Sequence, residues 1–459
     1  MNEKKFPVRA GFVGFGEVNT PREFIDTRCH EAAEELRKRG IEVFETSPVS
    51  DDPAGEQADR AASELAKADF DALVVCIAGW IPSWAVMRTI DAFKSKPVLL
   101  WGLSGWRSGD HFVTTADQAG STALRAPFEE MGFNFKYLVN FKGSVPRYDE
   151  AADYLRAASA AAAMRKSRIG MAGYRDMNLY GTLYDGTSLR GVLGTEIEHF
   201  DLLEIAEYLK EIPAEEIEKA AAKIRSEWNF LRDPQPGTLE NSASLALAFQ
   251  RKIAERGYDG FSFCDVDGVK KLLKFAPAGA LTLLHELMPL LTTVPENDSP
   301  GAVTQLIVQY LTGGKVPAYM EFYEFTENSA LMGVPDYVPG CVVDGKITVM
   351  PNAFGSFGEG LLNVSKVRTG RVTLVRLFRS GDRYGLHVTL ADAETPEKWE
   401  EAGWAPPAPQ LPGLEMKFGY NSDRFLAGVQ GQHYIVAYGD ITNRLRDFCS
   451  ITGIDFVMV

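Results

Sequence analysis

Short apolar runs alternate with amphipathic stretches through the first part of the chain. The strand-like runs are VRAGFVGFG, IEVFETS, ALVVCIAG and PVLLWGL. The stretches with helical periodicity between them are 21–39, 55–68 and 84–93. This alternation predicts a doubly wound parallel sheet with helices on both faces. An alanine-rich helix over 149–166 then leads into a second α/β pattern, which begins at SRIGMAGY.

The pattern changes after about residue 342. The runs KITVMP, RVTLVRLFRSGDRYGLHVTLADAE and FLAGVQGQHYIVAYGD are rich in β-branched and aromatic residues, with turn signals between them. They predict an antiparallel, barrel-like domain that contains a proline-rich loop, WAPPAPQLPG. The expected fold class is therefore α/β, with two doubly wound, Rossmann-like α/β domains over 1–165 and 166–341. A β-rich, barrel-like C-terminal domain over 342–459 follows them.

Charge and cysteine usage limit the classes of partner. The 459 residues carry a net charge of −14 and no long basic run, so we expect no nucleic acid or anionic membrane as main partner. No apolar run approaches the roughly 20 residues that span a bilayer, and the N-terminus lacks the apolar core of a signal peptide. The five cysteines are scattered without a CxxC pair. Together these features predict a cytoplasmic protein.

Carboxylates flank a predicted helix in the middle of the chain. Ser299 is the expected N-cap, Pro300 the first helical residue, and Gly313-Gly314 the end. Glu296 precedes this helix, and Glu321 lies on the strand-like run AYMEFYEF that follows it. A loop–helix–strand unit returns the chain to its starting edge, so the two carboxylates can meet there. Such a pair needs a cation or a proton between them, as in metal ligation or acid/base catalysis.

The same carboxylates also have a purely structural interpretation. In that interpretation, Glu296, Asn297 and Asp298 are favoured only by the positive end of the helix dipole. Glu321 and Glu324 would then lie on a solvated strand face. The sequence also leaves open which of these two glutamates faces Glu296.

One of the six histidines stands in an unusual setting. His433 lies in GVQGQHYIVAYGD, where glycines allow the backbone to approach a ligand closely. His285 and His387 lie in regular elements and are expected to be packed or exposed. Two carboxylates and one histidine form a ligand set that suits Mn²⁺, or with less specificity Mg²⁺ or Co²⁺.

Ligands of doubly wound sheets bind beyond the carboxyl ends of the strands. Arg22, Trp80, Trp84 and Trp101 lie near such ends in the first domain, and the tryptophans can stack on a sugar ring. The alternative is that they pack a domain or subunit interface, where tryptophan is enriched. Gly14 and Gly16 form only half of a dinucleotide-binding motif.

Several of these motifs resemble the L-fucose isomerase and L-arabinose isomerase superfamily. They are TEIEHFDLLEI, VPENDSPGAVTQLIVQYLTG, PAYMEFYEF, RTGRVTLVRL and GQHYIVAYGD. The resemblance implies two α/β domains, a β-rich domain, and a homo-oligomer that is hexameric or trimer-based. It also implies a metal-dependent aldose–ketose isomerase, typically with Mn²⁺.

The resemblance also implies roles for individual residues. Glu296 matches the first acidic ligand and catalytic base, Glu321 the second acidic ligand, and His433 the histidine ligand. Arg22 lies near a sugar contact, and we expect Asn297 to contact substrate as well. Tyr434 stands where the family often has a second histidine, which leaves the identity of the sugar open.

The sequence thus predicts interconversion of an open-chain aldose and its ketose through a cis-enediol or enediolate. The substrate is expected to be a neutral or acidic monosaccharide. One alternative is a non-catalytic sugar-binding or regulatory protein on the same fold. The other is a nicotinamide-dependent oxidoreductase that uses the first domain, against which the incomplete glycine motif counts.

Overall fold

The computed structural model describes residues 6–334, 337–353, 358–397 and 413–459. The predicted proline-rich loop lies outside these residues except for Gly413. The described chain divides into two compact units. The N-terminal unit holds the residues up to Ala162 together with Asn443–Thr452, and the main unit holds Ala163–Thr442 with Gly453–Val459. None of the described helices combines the length and the apolar character that a bilayer crossing requires.

The N-terminal unit is built on a parallel sheet. Its strands are β1 (Val8–Phe15), β2 (Ile41–Glu45), β3 (Ala72–Ile77), β4 (Val98–Gly102), β5 (Trp106–Ser108), β6 (His111–Val113) and β7 (Phe135–Val139). Its helices are α1 (Arg22–Lys38), α2 (Glu56–Leu65), α3 (Ser83–Ile90), α4 (Asp117–Glu130) and α5 (Tyr148–Met164). Five strands pair in the order β2-β1-β3-β4-β7, and β5 and β6 form a separate hairpin. Residues of α1 and α5 share one apolar core with the sheet, and residues of α2, α3 and α4 share another. Helices therefore cover both faces, as the prediction of a doubly wound sheet requires.

A second parallel sheet opens the main unit. The strands of this region are β8 (Arg168–Ala172), β9 (Glu196–Phe200), β10 (Asn229–Phe230), β11 (Gly260–Phe263) and β12 (Thr292–Val294). The helices are α6 (Gly186–Leu193), α7 (Leu202–Glu211), α8 (Ala214–Glu227), α9 (Thr238–Arg256), α10 (Ala278–Leu287) and α11 (Ser299–Leu311). Four strands pair in the order β12-β11-β8-β9, all in parallel. The carboxyl ends of β8, β11 and β12 consequently meet at one edge.

The rest of the main unit is dominated by antiparallel strands. They are β13 (Ala318–Phe325), β14 (Ser329–Gly333), β15 (Thr348–Ala353), β16 (Glu359–Asn363), β17 (Gly370–Ser380), β18 (Arg383–Glu394), β19 (Gly413–Lys417), β20 (His433–Tyr438) and β21 (Asp455–Met458). Helix α12 (Ser422–Leu426) follows β19, whereas α13 (Thr442–Thr452) belongs, from Asn443 onward, to the N-terminal unit. The order β17-β20-β13-β14-β19-β18 closes on itself because β17 also pairs with β18. The parallel α/β sheets and the barrel are thus present, while the division into two Rossmann-like domains remains a prediction.

The barrel takes strands from both sides of residue 342. Its strands β13 and β14 come before that point. Strands β15 and β16, which come after it, belong instead to a separate three-stranded sheet in the order β10-β15-β16. The reason lies in the alternation of β13, which places Ala318 and Met320 in the apolar core of the barrel. A change in composition along the sequence cannot reveal such a pairing. The proposed domain boundaries therefore stay a prediction.

Helix α11 begins one residue earlier than its sequence signals suggested. Asp298, and not Ser299, is the N-cap: its Oδ1 accepts a hydrogen bond from the Gly301 N–H at 3.0 Å. Ser299 is the first helical residue. Both are good N-cap types, and the aspartate prevails because its carboxylate reaches the third backbone N–H beyond it. The predicted end is confirmed, since the helix stops at Leu311 and Gly313 adopts a φ of 69°.

Candidate active site

A strained turn joins β12 to α11. Glu296 has a φ of 65° and Asn297 a φ of 49°, values in the left-handed region that a glutamate rarely adopts. Asn297 holds the turn: its side-chain N–H donates to the Ala172 carbonyl at 3.0 Å, and its backbone N–H donates to the Phe263 carbonyl at 3.1 Å. These bonds tie the turn to the ends of β8 and β11. Strain of this kind, held by its surroundings, clusters at functional sites.

The pairing of β13 with β20 brings two predicted site residues together. Glu321 lies directly opposite His433 in the antiparallel register. Successive residues of a strand point to opposite faces, so Tyr319 shares their face while Met320 and Tyr434 point into the barrel core. The three polar side chains therefore line the outer face of the barrel, against which helix α11 packs through β20 and β17.

His433 faces Glu296. Its Nε2 lies 3.7 Å from Glu296 Oε2, and both side chains are almost fully buried, at 3% and 7% exposure. Burial lowers the pKa of His433 to about 3; the Asp298 carboxylate opposes this shift and the Arg376 guanidinium adds to it. The imidazole is therefore neutral at physiological pH, which is the state that ligates metals or accepts protons.

A buried ion pair supports this arrangement. Both terminal nitrogens of Arg376 donate to the Asp298 carboxylate, one of them at 3.0 Å, and the Tyr319 hydroxyl donates to the same carboxylate at 2.9 Å. We call Asp298, Tyr319 and Arg376 the Asp298 clamp. Burial alone raises the pKa of Asp298, yet the charge and hydrogen bonds of Arg376 bring it below its usual value. The clamp is thus an ionised pair that joins the start of α11 to two barrel strands.

The clamp also positions the histidine. The Tyr319 ring stacks on the His433 ring, with centroids 4.4 Å apart and an interplanar angle of 22°. Burial, reinforced by the Asp298 and Glu296 charges, raises the pKa of the Tyr319 phenol well above its usual value. Tyr319 therefore remains a neutral donor, and its ring orientation restricts that of His433.

Two of the three predicted metal ligands converge. A separation of 3.7 Å between His433 Nε2 and Glu296 Oε2 exceeds a hydrogen bond but suits two ligands that each lie about 2 Å from one ion. Among the described residues, Nε2 of His433 has no hydrogen-bond partner. A neutral imidazole beside carboxylates is also the donor chemistry that Mn²⁺ accepts. Glu296 and His433 therefore have the donor types and the spacing of two ligands of one divalent ion.

Glu321, the third predicted metal ligand, does not form a close cluster with Glu296 and His433. No trio of histidine, cysteine, aspartate or glutamate side chains within the described ranges is near enough to hold a metal ion. The Glu321 carboxylate instead accepts a hydrogen bond from the Gln432 side chain at 3.1 Å. Glu324, the alternative, is exposed and lies beyond an irregularity in the β13–β14 register. Register thus favours Glu321 over Glu324 as the partner of His433.

The other predicted substrate contacts belong to the N-terminal unit. Arg22 opens α1 and donates to Asp26 and to the Pro48 carbonyl, both at 2.7 Å. Trp80 and Trp84 are 39% and 44% exposed, as a stacking surface requires. Trp101 is fully buried and its ring N–H donates to Asn140, which leaves it no exposed face for a sugar.

Comparisons with known proteins relate the chain to sugar isomerases at a distance. No family model matches it. The L-arabinose isomerase of Shouchella clausii is 20% identical over 67% of this chain and 63% of that enzyme, so the chain spans less than two thirds of its length. The L-arabinose isomerase of Oceanobacillus iheyensis is 20% identical over 71% of this chain and 69% of that enzyme.

A solved structure with some similarity is a solute binding protein of an ABC transporter from Agrobacterium vitis, with bound D-fucose. It is 13% identical and covers 63% of this chain and 93% of its own, at a TM-score of 0.17. A likeness this weak carries no argument about fold or ligand.

Sequence reasoning missed two members of the clamp. Tyr319 could have been found, because it lies two residues before Glu321 and so shares its strand face. Arg376 gives a weaker signal: it is a charged residue within the apolar run RVTLVRL, where a buried arginine implies a buried carboxylate partner. That partner is Asp298, whose only signal in the sequence is that of a charge near a helix start.

Proposed function

We propose that the protein is a metal-dependent aldose–ketose isomerase that acts on an open-chain monosaccharide through an enediol or enediolate. The observation that carries the proposal is the convergence of buried Glu296 and neutral, buried His433, with Glu321 opposite His433 on the paired strand. The distant similarity to L-arabinose isomerases supports the same reaction class.

Glu296, Glu321 and His433 are the residues that would hold the metal. A divalent ion such as Mn²⁺, or alternatively Mg²⁺ or Co²⁺, supplies Lewis-acid polarisation of the sugar carbonyl when bound. His433 contributes a nitrogen that needs no deprotonation, because burial already keeps it neutral. The Asp298 clamp keeps that ring in place through Tyr319.

The proton transfers fall to the two glutamates. Isomerisation moves a proton between C2 and C1 of the open-chain sugar, together with a hydroxyl proton between their oxygens. In the proposed reaction, the Glu296 carboxylate takes the carbon-bound proton and returns it to the neighbouring carbon. Glu321, on the more open side of the site, assists the transfer of the hydroxyl proton. The burial of Glu296 excludes water that would compete for the proton.

The proposal extends to substrate and assembly. Arg22, Trp80, Trp84 and Asn297 are proposed sugar contacts. The side-chain oxygen of Asn297 accepts no hydrogen bond from the described residues. A cytoplasmic homo-oligomer, hexameric or trimer-based, remains the expected assembly.

The direct test is an aldose panel. Protein dialysed against a chelator is assayed for ketose formation from L-arabinose, L-fucose, D-arabinose and hexuronates, before and after addition of Mn²⁺. We expect activity on at least one aldose only after the metal is added. Full activity in rigorously metal-free protein, or none on any aldose with metal, would contradict the proposal.

A further inference from the structure

A cavity of about 410 Å³ opens in the main unit beside the Asp298 clamp. Its walls come from the loop between β8 and α6, from Leu189 of α6, from Pro300 in the first turn of α11, from the end of β17 with the start of β18, and from Gln430. Glu296, Glu321 and His433 are not among its lining residues, whereas Arg376 is. Its volume falls in the range of roughly 300–1,000 Å³ that small-molecule pockets occupy.

Arg376 connects the cavity to the Asp298 clamp. The side chain is only 4% exposed. Its terminal nitrogens donate to Asp298 and to the Gly181 carbonyl, but no acceptor among the described residues reaches its Nε. Arg376 is therefore a fixed part of the cavity wall, held by the Asp298 carboxylate and the Gly181 carbonyl.

The charges of the cavity are already balanced. Arg376 is neutralised by Asp298, and Arg379 lies 3.2 Å from the Asp185 carboxylate. Asp185 and Arg379 are both partly exposed, at 44% and 35%, so their remaining donors and acceptors face solvent. No lining guanidinium is therefore left without a counter-charge, and an anionic ligand would meet the Asp185 carboxylate.

The remaining walls suit a hydroxylated ligand. Tyr180, Tyr184 and Tyr384 contribute aromatic rings, and Gln430 contributes a planar amide. The hydroxyls of Tyr184 and Tyr384 are hydrogen-bonded to His199 and Ser188. Flat rings pack against the apolar face of a sugar, while planar carboxylate, guanidinium and amide groups bond to adjacent hydroxyls. Such a mixture of aromatic and neutralised polar groups recognises shape and hydroxyl pattern rather than charge.

We propose that this cavity is a second small-molecule site, separate from the Glu296–His433 pair, that binds an uncharged polyhydroxylated compound such as a sugar or sugar alcohol. It does not depend on the chain being an isomerase. Because Arg376 contacts both the cavity and Asp298, a ligand there would touch the same residue that supports His433 through the clamp.

Gly181 offers a way to fill the cavity. It lines the cavity, and a Cβ added there meets no atom within 4 Å. The full-length Glu296→Gln variant in chelator serves as background, so that a metal-held sugar cannot contribute. L-Arabitol binding is measured by calorimetry in this background and after adding Gly181→Phe. Gly191→Phe is the matched control, because Gly191 also has open space but does not line the cavity.

We expect L-arabitol to bind the background and the Gly191→Phe control alike, and Gly181→Phe to weaken binding by about tenfold or more. Absence of binding to the background, or equal binding to both phenylalanine variants when both are folded, would overturn the proposal. The aldose assay on the unsubstituted protein is a separate experiment, so either proposal can fail without the other.

A charge test applies even if Gly181→Phe does not fold. Asp185→Asn keeps the α6 N-cap, since asparagine caps as well as aspartate, but leaves Arg379 unmatched. L-Arabinonate should then bind the Asp185→Asn background about tenfold more tightly than it binds the unaltered cavity, while L-arabitol changes less. Tighter binding of L-arabinonate than L-arabitol by the unaltered cavity, or no gain in Asp185→Asn, would contradict an uncharged ligand.

Discussion

At the residue scale, burial sets the charge of each group around Glu296. The His433 imidazole and the Asp298 carboxylate are both almost completely buried, yet the first is neutral and the second ionised. The difference is Arg376, which lies against Asp298 and offers two N–H groups to it. A buried charge persists only with such a partner. The site therefore holds a neutral imidazole beside a carboxylate whose charge is already compensated by Arg376.

Glutamine replacements separate chemistry from folding. Glu296→Gln and Glu321→Gln should each lower kcat by about 10²–10⁴-fold, because an amide cannot take a proton from carbon. Glu324→Gln is the matched control on the same strand and should leave kcat near that of the parent. Circular dichroism checks that all three are folded. An inactive Glu324→Gln with an active Glu321→Gln would show that the other glutamate is the functional one.

Asp117 in the N-terminal unit gives a pH-dependent prediction. Burial raises its pKa to about 6, against the opposing effect of Arg28. The folded state thus binds this proton more tightly than the unfolded chain, so the favourable contribution is complete below about pH 4 and is lost as pH rises through 6. Asp117→Asn should remove this fall and stabilise the protein at pH 7 by roughly 1–3 kcal/mol. Urea titrations at pH 4, 5, 6 and 7 measure the free energy of unfolding of the parent and of Asp117→Asn. If this free energy changes with pH between 4 and 6 in the same way in both proteins, the pKa of Asp117 is not raised.

At the element scale, local patterns predicted much of what surrounds the site. The end of α11 follows from Gly313, and the strand AYMEFYEF and the strand that carries His433 follow from their β-branched and aromatic residues. The pairing of Glu321 with His433 could not be predicted, because it depends on which distant strands close the barrel. The Asp298–Arg376 pair could not be predicted for the same reason, because its two residues are distant in the sequence. Sequence alone thus supplied the candidate ligands but not the groups that hold them in place.

Gly301 shows how tightly α11 packs against the clamp. A Cβ there would lie 2.5 Å from Asp298 Oδ2 and 2.8 Å from the Tyr319 ring. Gly301→Ala should therefore lower the melting temperature and the isomerase rate, despite the better helix propensity of alanine. Gly191→Ala in α6 is the matched control: with open space around it, it should gain up to about 1 kcal/mol. Calorimetry on both variants should show a lower melting temperature for Gly301→Ala and a higher one for Gly191→Ala. A stabilised Gly301→Ala would rule out tight packing of α11 against the clamp.

At the scale of the whole molecule, the candidate ligands belong to one compact unit. Glu296 comes from the parallel sheet of the main unit, and Glu321 and His433 come from its barrel. An ion bound by all three would cross-link two different kinds of sheet within that unit. Because the unfolded chain does not assemble such a site, binding adds directly to the stability of the folded state.

Mn²⁺ should accordingly raise the melting temperature of the main unit. At a metal concentration of about 100 times Kd the gain is about 2.7 kcal/mol. His433→Ala should abolish most of this rise. His285→Ala is the control, since His285 is also a buried histidine of this unit but lies in α10. His285→Ala should lower the melting temperature of the metal-free protein but keep the increase that Mn²⁺ causes. An equal increase in His285→Ala and His433→Ala would argue against His433 as a ligand.

The most direct measurement is a crystal structure of the protein soaked with Mn²⁺, with the ion located by its anomalous signal. Joint ligation by Glu296, Glu321 and His433 predicts one peak about 2 Å from a carboxylate oxygen of each glutamate and from a ring nitrogen of His433. This requires the Glu321 side chain to leave Gln432 and turn toward Glu296. A peak more than about 5 Å from the His433 ring, or no peak at this turn at saturating Mn²⁺, would contradict it.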